Sequence, residues 1–141
     1  MSNPTATPQA AATALPPRHD AAAALAFELD ATALNRLREL DPTGENHVLQ
    51  RVMVAFEGSL TRLMQQADVA QSSNDINAIR HVVHTLKSSS ASVGALELSS
   101  CCALIEQQLR EHRTEHLAQH LGAWRSEAAR VLVAVKTARF E

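Results

Sequence analysis

Val48, Leu49, Val52, Phe56, Leu60, Leu63 and Ala67 recur, from Leu49 onward, at intervals of three and four residues. That spacing lays one apolar stripe along a helix and has no counterpart in a strand, whose side chains alternate with a period of two. A stripe running from about Gly44 to Val69 must be covered by other helices, and the rest of the chain supplies them. Ile76, Ile79, Val83, Leu86, Ser90 and Val93 form a second stripe, ended or bent at Gly94. Leu98, Cys101, Cys102, Ile105 and Leu109 form a third. Leu117, Leu121, Trp124, Ala128, Val131 and Val135 form a fourth, with Thr114 as its expected cap. The loop Ser72-Ser73-Asn74-Asp75 divides the first two. Four stripes joined by short polar loops predict an all-α fold, an antiparallel up-down four-helix bundle.

One or two short helices are expected ahead of the bundle. Asp30 is a plausible N-cap for Leu34, Leu37 and Leu40, and Asp41-Pro42-Thr43-Gly44 stops that segment. Ala21 to Glu28, with Leu25 and Phe27, reads as a second short helix. Residues 1–20, with Pro4, Pro8, Pro16 and Pro17 and no periodic apolar face, read as a flexible tail. The domain itself is expected over 21–141. Because the sequence starts with Met1 and brings its own tail, the chain is expected to be free-standing. No internal repeat is visible, and no stripe continues long enough for an extended coiled coil.

Composition narrows the function classes. Four Gly and five Pro leave little turn chemistry for an all-β fold. A formal charge of −2 gives no global attraction to nucleic acid or to anionic membrane. No apolar run reaches the length of a membrane span, and no basic region followed by a hydrophobic core opens the chain as a secretory signal. The two cysteines, Cys101 and Cys102, are sequence neighbours and poor disulfide partners, which suits reduced thiols and a cytoplasmic location. A monomer is expected, since the bundle closes its own core.

The chemistry-bearing segment is His84-Thr85-Leu86-Lys87-Ser88-Ser89-Ser90, continuing to Gly94-Ala95. With Ile79, Val82, Val83, Leu86, Ser90 and Val93 facing inward, His84 falls roughly 140° from the centre of the apolar face. Its ring is therefore expected to be exposed or half-exposed, outside the core. Arg80, Lys87, Ser88 and Ala91 fall on its side of the helix, whereas His81 lies on the far side of that cluster. A solvated histidine on a polar face is the plain alternative. The company of His84 argues for more. Imidazole is largely neutral and nucleophilic at physiological pH. Lys87, one turn on, offers a compact positive charge to a phosphoryl group. Ser88 and Ala91 leave room for a large partner to approach.

This segment resembles the signature of the histidine phosphotransfer domain of two-component phosphorelays. The pattern is histidine, any residue, an aliphatic residue, lysine and a small residue, then a Gly-Ala pair; here it is His84, Thr85, Leu86, Lys87, Ser88 and Gly94-Ala95. Ser88 stands where the family most often has glycine. Ala33 to Leu37 with Asp41-Pro42 looks like the family's early helix and turn, and Cys102 to Glu106 like its post-motif helix, so the resemblance covers about residues 28–138. It implies that His84 accepts the phosphoryl group and that Lys87 neutralises it. Glu106 occupies the family's Glu/Gln position, from which a carboxylate would hold the Nδ1 proton and free Nε2. Arg110, one turn further, faces the same way; a solvated arginine is the alternative. Arg80, Ser88, Ala91, Gly94 and Arg110 are the expected partner-binding residues.

The implied partners are receiver domains, one donating the phosphoryl group from its aspartate and another accepting it. The expected role is a relay intermediate and not an enzyme. There is no glycine-rich nucleotide loop, so no cofactor is expected, and Mg²⁺ belongs to the receiver domain. A non-catalytic adaptor bundle is the runner-up, and Lys87 with its small neighbours argues against it. His112, His116 and His120 are spaced by four, but a helix cap at Thr114 would break that ladder, so no metal site is expected.

Overall fold

The computed structural model describes residues 29–138. The expected tail over residues 1–20 and the expected helix over 21–28 lie outside the described residues. Within them the chain forms five helices and no strand: α1 (Ala31–Glu39), α2 (Val48–Ser72), α3 (Ile76–Ser92), α4 (Leu96–Arg110) and α5 (Leu117–Ala138). Helices α2 to α5 pack each on the next, and α5 closes the bundle against α2. Short helix α1 packs on α2.

Helix α2 buries Leu49, Met53, Phe56, Leu60, Leu63, Ala67 and Ala70, an unbroken three-four repeat. Val48 and Val52 sit at the edge of that face and are only half-buried. The helix starts four residues later than the stripe suggested, because Gly44 (φ 77°) and His47 (φ 53°) take left-handed conformations. His47, at the N-cap position, makes no side-chain cap bond. Asp41 takes that role from a distance. Its carboxylate accepts from the N–H groups of Asn46 (3.0 Å) and Val48 (3.3 Å), so the residue expected to stop α1 also caps α2. Asp30 caps α1 by accepting from Ala33 N–H at 3.1 Å, and Asp75 caps α3 by accepting from Ala78 N–H at 3.1 Å.

The three turns of the bundle share one design. Helices α2, α3 and α4 each end in a left-handed residue: Asn74 (φ 56°), Gly94 (φ 85°) and His112 (φ 59°). After each, the next N–H reaches back five residues: Asp75 to Ala70, Ala95 to Ser90 and Arg113 to Gln108, all at 2.8 Å. This is the Schellman ending, which satisfies the orphan carbonyls of a helix terminus. Ser72, expected in the loop, is the last helical residue of α2. Helix α5 begins at Leu117, so Thr114 is not its N-cap; the Thr114 carbonyl accepts from Leu117 N–H at 3.2 Å in the preceding turn.

Gly94 has a further constraint. Its carbonyl accepts from Asp30 N–H at 2.7 Å, and a Cβ at Gly94 would lie 2.7 Å from the Asp30 nitrogen. Gly94 is buried. It was expected on the partner-binding surface, and the structure corrects this. The site is filled by the backbone of the segment entering α1, so no partner reaches it.

Trp124 lies in the core with its Nε1–H donating to Cys102 Sγ at 3.2 Å. Burial pushes the Cys102 thiol up from 9.0 to about 12. The fold thus favours the neutral thiol, and the stability it contributes is present below pH 9.0 and is lost as pH rises toward 12. Urea titrations should show the native protein losing more stability than Cys102→Ala between about pH 8 and about pH 10.5, by up to about 1.4 kcal/mol per pH unit. Parallel curves would show that the thiol titrates as readily in the folded protein as in the unfolded chain.

Candidate functional site

His84 lies at the middle of the outward face of α3, with 68% of its side chain accessible. The face it occupies follows from the inward set Ile79, Val82, Val83, Leu86 and Ser90, which fixes the rotation of the helix. Arg80, Ser88 and Ala91 are exposed beside it, as their phase predicts. No bulky side chain on α3 stands over the ring at position 88.

Glu106 reaches the ring from α4. Its Oε2 lies 2.6 Å from His84 Nδ1, and its Oε1 accepts from Lys87 Nζ, also at 2.6 Å. The Glu106 side chain is only 9% accessible, against 36% for Lys87. A buried carboxylate is costly unless it is paired, and here both oxygens are engaged. Arg110, one turn on and 63% accessible, places Nη2 at 3.8 Å from Oε2. The Lys87 ammonium is the first cause, and the His84 ring a further one, holding the Glu106 carboxyl below its usual 4.5, despite its burial. Glu106 is therefore ionised at neutral pH and can only accept hydrogen bonds. The proton between it and the ring belongs to Nδ1. In the neutral ring this leaves the free lone pair on Nε2.

Two side chains outside the expected set hold this arrangement. Ser99 Oγ donates to the Lys87 carbonyl at 2.8 Å, tying α4 to α3 beside the site. It lies seven residues before Glu106, two helical turns along the same face, and that spacing is the only sequence signal it gave. Cys102, four residues before Glu106, is buried behind the site against Trp124. Cys101 is half-buried, and burial raises its thiol as well. Both are free thiols that serve packing.

His81 is exposed on the other flank of α3, where it lines a shallow groove with Arg62, Gln66, Val69 and Ala78. His112 occupies the turn after α4. His116 and His120 stack edge to face with ring centroids 6.2 Å apart. Among the described residues no cluster of three or more metal-ligating side chains occurs. Among them, too, no helix is long and apolar enough to cross a membrane.

Residues 51–134 match the family model of the Hpt domain. The chain therefore belongs to the Hpt domain family, the phosphotransfer modules of two-component relays. These modules carry phosphoryl groups, act with receiver domains and are distinct from kinases. Over 80 residues the chain is 35% identical to the sensor protein TorS of Escherichia coli (strain K12). That stretch is 57% of this chain and 8% of the relative, so the likeness concerns one segment of a much longer protein. No solved structure matches the chain.

Proposed function

We propose that this chain is a phosphorelay intermediate. Its His84 accepts a phosphoryl group from the aspartate of one receiver domain and passes it to the aspartate of another. The observation that carries this reading is the pairing of His84 Nδ1 with the buried Glu106 carboxylate at 2.6 Å, on a ring that is 68% accessible. An exposed histidine with its proton fixed on one nitrogen and its lone pair on the other is a positioned nucleophile. Phosphoryl transfer asks a protein mainly for positioning and for neutralisation of charge. Lys87, held beside the ring by Glu106, supplies the second as a positive charge for the phosphoryl oxygens. Exposed Arg80, Ser88, Ala91 and Arg110 form the rim that a receiver domain covers. The chain works as a carrier without a cofactor of its own, and Mg²⁺ arrives with the receiver aspartate. We further propose that it acts in the cytoplasm, as a monomer.

The test is to mix the protein with a phosphorylated receiver domain and Mg²⁺, then look for phosphate on it that is acid-labile and stable to base. Its absence would leave the adaptor bundle as the better account. The graded test is Lys87→Ala. Removing one positioned cation should slow transfer by about tenfold to a hundredfold, with the helical circular dichroism unchanged. An unaltered rate would remove the electrostatic role.

A further inference from the structure

A phosphoryl group on Nε2 leaves an imidazole two forms. In the cation, Nδ1 carries a proton. In the neutral ring, Nδ1 has a bare lone pair. The cation leaves phosphorus as neutral imidazole, a good leaving group. The neutral ring would have to leave as imidazolate, a far poorer one. What faces Nδ1 therefore governs how readily the phosphoryl group moves on.

In this protein Nδ1 faces Glu106 Oε2 at 2.6 Å. The carboxylate has no proton to offer, is 9% accessible, and has its other oxygen bound to Lys87. Loss of the Nδ1 proton would set the ring's lone pair against an oxygen of a carboxylate that is itself largely shielded from water. We propose that Glu106 keeps the phosphorylated ring of His84 protonated on Nδ1, so that the chain holds its phosphoryl group in a labile, quickly exchanged form and not in a stored one. This rests on the reading of His84 as phosphoacceptor.

The steps balance without any proton shuttle. Nε2 attacks the phosphorus of an aspartyl phosphate; the Nε2–P bond forms, the P–O bond to aspartate breaks, and the carboxylate leaves with the electron pair. The Nδ1 proton stays in place, and the ring is now an imidazolium paired with Glu106. On release, a second aspartate carboxylate attacks phosphorus, and the electrons of the P–N bond return to Nε2. The ring leaves neutral, still protonated on Nδ1. With water as acceptor the ring leaves in the same way, and the proton of water goes to solvent.

The charged groups at the ring are Glu106 and Arg110 from α4 and Lys87 from α3; Arg80 is exposed further along α3, and the titratable His81 lies on its other flank. On the α2 flank, Arg62 lines the groove beside His81. The cations nearest Glu106 would oppose a charged ring, but a phosphoryl group brings negative charge that offsets them. Glu106 is the acceptor that meets Nδ1, and it is a positioning residue, acting on phosphorus only through the ring.

The experiment loads the native protein and Glu106→Gln with phosphoramidate, a small N-phosphoryl donor that bypasses the receiver domain. Glutamine keeps the shape and can turn an N–H toward the bare Nδ1. The phosphohistidine of Glu106→Gln should have a half-life about tenfold longer near neutral pH, with its hydrolysis profile displaced to lower pH by about one unit. A second reading needs no variant: the ¹⁵N shift of Nδ1 in the phosphorylated native protein should be that of a protonated nitrogen at neutral pH. Superimposable hydrolysis profiles, or a bare-nitrogen shift at neutral pH, would overturn the inference while leaving His84 as acceptor. Failure of His84 to take phosphate from either phosphoramidate or a receiver domain would overturn both readings.

Discussion

His84→Gln is expected to reduce phosphoryl uptake from a phosphorylated receiver domain to background, while His81→Gln keeps the native level. The contrast is informative because the two histidines share a helix, are both exposed and lie one turn apart. They differ in what holds them. His84 has the Glu106 carboxylate at 2.6 Å and Lys87 one turn on, whereas His81 overlooks the groove between α2 and α3. Glutamine at position 84 still offers an N–H to Glu106, so the carboxylate is not stranded and the bundle should fold as before. An amide nitrogen is not a nucleophile, and loss of a nucleophile costs on the order of 10³-fold or more in rate. Radiolabel transfer followed by acid and base treatment reads the result. Uptake by His84→Gln, or an equal loss in His81→Gln, would move the acceptor elsewhere.

Trp124→Ala should destabilise the bundle by about 3–5 kcal/mol, a large share of the roughly 5–15 kcal/mol that holds a domain of this kind together. Trp124 is the largest fully buried side chain and the only tryptophan in a chain with few aromatic residues. Its removal would open a void between α4 and α5 and take away the N–H that meets Cys102 Sγ. Because the variant also loses the intrinsic fluorophore, urea unfolding is best followed by far-ultraviolet circular dichroism. A loss under about 1 kcal/mol would mean that the core collapses around the site or is held mainly by its aliphatic residues.

Much of this protein is readable from its residues because its helices are strictly periodic. The stripes placed Leu60, Leu86, Ile105 and Val131 in the core, and the same phase put His84 in solvent. Glu106 was reached through resemblance. On its own helix it is a charged residue on the buried side, which periodicity alone would count as an error. Only the facing Lys87 and His84 make sense of it, and that meeting is a tertiary fact. The turns were harder. Asn74 and His112 take the conformation that Gly94 takes; both residue types enter it more readily than most, yet too seldom to mark a helix end by themselves. Gly94 looked like surface because the motif ends there, but its reason is the backbone of Asp30, sixty-four residues away in sequence. Thr114 had the right chemistry for a cap, and the helix began three residues later.

The tie between Asp30 and Gly94 bears on how the protein can be cut. The stretch that matches the family model begins at residue 51, yet Leu29, Leu34 and Leu49 lie in the core ahead of it. Sequence likeness and the cooperative unit therefore have different borders. A fragment trimmed to the matched stretch would expose the apolar ground under those leucines and leave the Gly94 carbonyl, in the turn joining the two helices that carry the histidine and its carboxylate, without its 2.7 Å donor. The smallest portable version of this domain has to start no later than Leu29.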